Sequence, residues 1–150
     1  MTAPVDRPYQ TYPLTLHPIH AVFLAGTIPL FLGALLNDIA YFQSYQIQWS
    51  NFSSWLIAAG LVFAGLALLC GIIGLFRAEG RGSRGMMYLV LLLATWIMGF
   101  INALVHAKDA WAIMPMGLIL SVIVFLLACA ATAVRFSSRP VAAHRVGGVA

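Results

Sequence analysis

The residues of this chain with chemistry to offer are few, and they fall at the edges of apolar runs. His17-Pro18-Ile19-His20 places two imidazoles at the entrance of the first run, and Asn37 and Asp38 stand near its far end. Asn102, His106, Lys108 and Asp109 form a second polar stretch later in the chain. Imidazole and carboxylate are metal ligands and exchange protons within reach of neutral pH. His17, His20, His106 and Asp38 are therefore the candidate cofactor-binding or metal residues, with Asn37, Asn102, Lys108 and Asp109 as a supporting polar cluster. No zinc-binding His-Glu-x-x-His, Cys-x-x-Cys-His haem attachment, nucleophile elbow or glycine-rich phosphate loop occurs. No catalytic residue is expected among them, and a non-enzymatic protein is the expectation. Cys70 and Cys129 lie inside apolar runs without a Cys-x-x-Cys pair, as packing residues do.

The elements that position these residues are membrane spans. Hydrophobic residues make up 62% of the 150 residues and charged residues 8%, against about 25% charged in a soluble domain. Four continuous apolar runs, about 18–41, 52–76, 85–106 and 113–134, are each long enough to cross a bilayer as a helix. The alternating pattern of an outer-membrane barrel is missing. The expected fold is an all-α integral membrane four-helix bundle over 17–136, with an N-terminal cytoplasmic segment, 1–16, and a flexible cytoplasmic tail, 137–150. Pro29 is expected to kink the first helix, with Thr27 or a neighbour satisfying the freed carbonyl.

Charge sets the expected orientation. Of eight basic residues, Arg7, Arg77, Arg81, Arg84, Arg135, Arg139 and Arg145 share one side of a four-span chain, and Lys108 alone is on the other. The positive-inside rule then puts both termini in the cytoplasm of a bacterium, with the chain in its inner membrane. The net charge of +4 is explained by this distribution and not by a nucleic-acid partner. A cleaved signal peptide is disfavoured, because Asn37 and Asp38 follow a run longer than a signal core. Asn51-Phe52-Ser53 abuts a span and is discounted as a glycosylation acceptor. Small residues four apart, Gly60 to Ala64, Ala67 to Gly71 and Ala21 to Ala25, suit close helix packing, inside the bundle in preference to a self-association seam.

Depth sorts the polar residues. At about 1.5 Å rise per residue, Asp38 and His106 each lie about 30 Å along their helices and meet at the outer edge, whereas His17 and His20 lie at the inner one. Asn102, His106 and Asp109 share one stripe if the helix persists that far. In the plainer reading these groups satisfy one another; in the sharper one His106 and Asp38 are a proton-exchange or metal-binding pair. His20 and His106 are too far apart in depth to ligate one haem b from both sides within a subunit. That leaves a single histidine, a methionine partner such as Met98, Met114 or Met116, or a haem shared between subunits.

At His17-Pro18 with a second histidine close behind, Gly33 to Asp38, and Asn102-Ala-Leu-Val-His106-Ala-Lys-Asp109-Ala-Trp111, the chain resembles the small bacterial membrane proteins of domain-of-unknown-function family number 2231. The resemblance covers roughly His17 to Phe136. In the family the second histidine usually stands further along, in a His-Phe-Pro setting, whereas here it is His20. The resemblance implies the four-span architecture, singles out His17, Asp38 and His106, and carries no established activity. Association of some members with cytochrome-type modules implies a redox setting by analogy, with a membrane redox complex as partner. Two functions follow as expectations: a non-enzymatic accessory subunit or small-molecule-binding scaffold, and, as the alternative, a redox or proton-coupled protein binding haem b, a metal or a quinone.

Overall fold

The computed structural model describes residues 17–76 and 83–137. Among these it is all helical: α1 (Pro18–Ser44), α2 (Ile47–Phe76), α3 (Ser83–His106) and α4 (Met116–Phe136), with a short 3-10 turn at Ala110–Ala112 before α4. All four helices are long and apolar enough to cross a membrane. Arg7, Arg77, Arg81, Arg139 and Arg145, the 1–16 segment and the tail beyond Ser137 lie outside the described residues.

Each helix packs on two neighbours, α1 on α2 and α4, and α3 on α2 and α4, so the order around the bundle follows the chain. The starts of α1 and α3 share one end with the finish of α4, while Asp38, His106 and Trp111 share the other. The turn between α1 and α2 is only Tyr45 and Gln46. Tyr45 takes the left-handed conformation, φ 51°, and its N–H closes on the Tyr41 carbonyl. The second helix therefore begins at Ile47 and not near 52: the polar-rich run Gln46 to Asn51 looks like a loop, but from Ile47 it is the first turn of the helix, with Ser50 turned into the bundle.

Alternating steps of three and four residues mark the inward faces. On α1 the buried residues are His20, Leu24, Thr27, Phe31, Ala34, Asp38 and Tyr41. On α3 they are Tyr88, Leu92, Thr95, Gly99, Asn102, Val105 and His106. A repeat averaging 3.5 residues keeps one seam facing its neighbours along the whole helix, the geometry of left-handed bundles. Small residues serve this seam: Gly60 receives the Phe31 ring, and Ala64 and Ala67 are fully buried beside it, so this part of the small-residue stripe is spent within the chain. The outer faces are apolar on every side, from Val22 and Val62 to Leu104 and Leu126, as lipid contact requires.

Pro29 faces outward and α1 runs on past it. Thr27 gives its hydroxyl to the Leu24 carbonyl at 2.7 Å, not to the Ala25 carbonyl that Pro29 leaves without a donor. Thr95 and Thr132 likewise bond carbonyls of their own helices. Polar groups at mid-depth thus stay within a helix, and those near the two ends link helices.

Candidate functional site

Near the Asp38 end, five polar side chains from all four helices meet at the bundle axis. Asp38 of α1 and Ser53 of α2 are fully buried, and Asn102 of α3 and Ser121 of α4 are nearly so. His106 closes α3, its side chain 1% exposed, with Nε2 2.9 Å from Asp38 Oδ1. The pair spans the diagonal from α1 to α3, across the axis and not along a seam between adjacent helices.

Hydrogen positions around the pair follow from the partners. His106 Nδ1 is 3.0 Å from the Asn102 carbonyl, an acceptor, so Nδ1 carries a proton and donates it. Nε2 faces the Asp38 carboxyl group. One further proton is then held between the two, as imidazolium and carboxylate or as neutral imidazole and carboxylic acid. Both forms leave the pair without net charge, which is the condition for burying it in a low-dielectric interior. Ser53 donates to the Ala34 carbonyl at 3.2 Å, so its oxygen, 3.4 Å from Nε2, is left to accept, an arrangement that matches a protonated Nε2.

On the other carboxylate oxygen, Ser121 donates its hydroxyl to Asp38 Oδ2. With its one hydrogen used, Ser121 Oγ can only accept, and Asn102 Nδ2 donates to it at 2.8 Å. The result is a directed chain, Asn102 to Ser121 to Asp38, meeting His106 from the other side. Asn102 Oδ1 ends this chain buried and without a donor among the described residues.

Local packing holds the site closed. Gly117 at the start of α4 leaves room for the imidazole: a Cβ there would stand 2.9 Å from His106 Cε1 and 2.7 Å from Ile113 Cγ2. One turn beyond Asp38, buried Tyr41 donates to the Ala110 carbonyl at 2.9 Å, tying α1 to the chain that links α3 and α4. Tyr45 and Trp111 stack over this end, centroids 5.7 Å apart.

The structure brings together three of the residues singled out from the sequence, Asp38, Asn102 and His106. Asn37 is not with them; it bonds the Gly33 carbonyl of its own helix at 2.7 Å. Lys108 and Asp109 are exposed. Asp109 leaves the Asn102–His106 stripe because α3 ends at His106 and the Lys108 N–H tightens onto the Val105 carbonyl. His17 is exposed ahead of α1, and His20 lies at the opposite end, bonded to Tyr88. Eighteen residues separate His20 from Asp38, about 27 Å at about 1.5 Å each. Ser53 and Ser121 were missed. Each falls on the alternating three-and-four spacing of its helix, Ser50, Ser53, Ile57 and Gly117, Ser121, Val124, which was the available signal.

As placed, His106 does not fit an axial haem or metal ligand. Such a ligand needs one ring nitrogen for the metal, and both are committed to protein acceptors. Among the described residues no group of three His, Cys, Asp or Glu is gathered to hold a metal ion.

Residues 16–147 match the model of a family described as Predicted membrane protein (DUF2231), and the chain belongs to that family. No curated protein and no solved structure matches it.

Proposed function

From membership in a membrane family without an assigned activity, we propose that this protein is a non-enzymatic, proton-coupled module of the bacterial cytoplasmic membrane, of the accessory-subunit class. One observation carries the reading: Asp38 and His106, an acid and a base able to hold a proton between them, are buried and 2.9 Å apart at a point where all four helices meet. Ionisable residues inside a span are costly, and buried pairs of this kind are found at proton relays and ion pathways. Gain or loss of the shared proton changes hydrogen bonding to Ser53 on α2 and Ser121 on α4 at once. It therefore biases the packing of the whole bundle, which is how a proton-binding site in such a module would act on a partner subunit. Seven basic residues on one side support a cytoplasmic location for both termini, with the Asp38 site toward the outer face.

The test is pH-dependent infrared difference spectroscopy on the protein in lipid nanodiscs, scanned from about pH 4 to about pH 10 to cover carboxyl and imidazole titration. The expected spectrum contains a carboxyl band lost in Asp38→Asn and an imidazole band lost in His106→Gln, each displaced in the other variant. Absence of both bands across the range would reduce the pair to a static fastening.

A further inference from the structure

At the opposite end of the bundle, three polar side chains from three helices line a small, half-open recess with a cavity volume of about 60 Å³. His20 Nε2 of α1 lies 2.7 Å from the Tyr88 hydroxyl of α3, and the Arg135 guanidinium of α4 stands 5.8 Å from the Tyr88 ring centroid. Cation and ring thus share one wall. The remaining wall is built partly from Gly71, Gly74 and Gly85. A Cβ at Gly74 would meet nothing within 4 Å, so the space beside it is open.

Arg135 is the informative residue. Its Nε is buried and has no hydrogen-bond partner among the described residues, and none of their carboxylates lies within ion-pair distance of its guanidinium. A buried guanidinium N–H without an acceptor is unfavourable, and the planar fork of arginine suits the paired oxygens of a phosphate. Basic recesses between spans at the arginine-rich end of a membrane protein are suited to anionic headgroups.

We infer that this recess is a phosphate-binding site, with Arg135 as the anion's cationic partner and the Tyr88 hydroxyl, shared with His20, as a neighbouring polar contact. The phosphate belongs to an anionic phospholipid or to a free soluble phosphate; the chemistry of recognition is common to both. This site is independent of the Asp38–His106 pair and stands or falls separately from it.

The experiment is native mass spectrometry of the detergent-solubilised full chain, titrated with phosphatidylglycerol, phosphatidylcholine or inorganic phosphate. Both lipids carry a phosphodiester, but the choline ammonium neutralises one of them, so the wild type is expected to prefer phosphatidylglycerol over phosphatidylcholine by roughly fivefold, the order of one basic contact to an anionic lipid. Arg135→Gln, which removes the charge, and Gly74→Leu, which fills the recess and leaves every charge in place, should each abolish the preference. Arg84→Gln, at an exposed position outside the recess, should keep it. Displacement of the lipid by inorganic phosphate would assign the site to a soluble anion, and its failure to compete would assign it to the lipid. Circular dichroism checks the fold of each variant, and Gly74→Leu carries the test alone if Arg135→Gln does not fold. Equal binding of the two lipids by the wild type without phosphate binding, retention of the preference in folded Gly74→Leu, or its equal loss in Arg84→Gln would overturn the assignment.

Discussion

Asp38 and His106 are each more expensive to bury alone than together. Removing one member of a buried ion pair leaves the other without its partner, at a cost of about 3–5 kcal/mol. Asp38→Ala and His106→Ala should therefore each lower stability by roughly that amount in reversible detergent denaturation. The double variant should cost less than the sum of the two by about 1–3 kcal/mol, because the second substitution removes a group already stranded. Strict additivity would mean that the 2.9 Å contact contributes no coupling. Ser121→Ala gives a milder expectation. It strips one donor from Asp38 and leaves Asn102 Nδ2 facing a methyl group, a loss of about 1–3 kcal/mol by the same measurement. The pair itself was legible in the sequence, since an acid and a histidine at apolar span ends are conspicuous and their depths agree. The serines were not, because a serine in a span commonly bonds its own helix, as Ser54 does with the Ser50 carbonyl.

At the scale of the helix, two glycines of similar appearance in the sequence carry opposite expectations. Gly117 lies against the imidazole, and a methyl group there would press on His106 and on Ile113. Gly117→Ala should cost about 1–3 kcal/mol as an overpacked position and displace the His106 ring bands in the infrared spectrum. Gly74 meets nothing, so Gly74→Ala should gain roughly 0.5–1 kcal/mol from helix propensity alone. Equal effects at the two positions would contradict the packing. Glycine identity alone does not reveal which is which; that depends on what the neighbouring helix presents. Helix ends were similarly hard to read. The two-residue turn at Tyr45 and Gln46 leaves almost no loop to see, and α3 stops at His106 although Ala107 and Lys108 are good helix formers. The alternating three-and-four spacing was present in the sequence throughout. On α1 and α2 apolar residues lie on all sides, so amphipathic contrast is weak and the inward face is marked in part by small and polar residues such as Thr27, Ala34, Ser53, Gly60 and Ala64.

For the molecule as a whole, hydropathy was enough to read four spans, because a bilayer demands continuous apolar length and little else. The order of helices around the axis came only from packing, with both diagonal ties, His20 to Tyr88 and Asp38 to His106, joining α1 to α3 at opposite ends. These two ends differ in charge, and that difference sets the last expectation. In a background with Cys70→Ala and Cys129→Ala, Arg84→Cys and Lys108→Cys each place one exposed thiol at one end of the bundle. By the charge count of a four-span chain, removing Arg84 would leave six of seven basic residues on the side expected to be cytoplasmic, and removing Lys108 takes away the one expected on the other, so neither change should invert the chain. A membrane-impermeant maleimide added to spheroplasts should label Lys108→Cys at once, and Arg84→Cys only after the membrane is opened. The reverse pattern would turn the Asp38 site, and the proton exchange proposed for it, toward the cell interior. Labelling of both thiols in closed spheroplasts would show that the charge bias does not hold the bundle in one orientation.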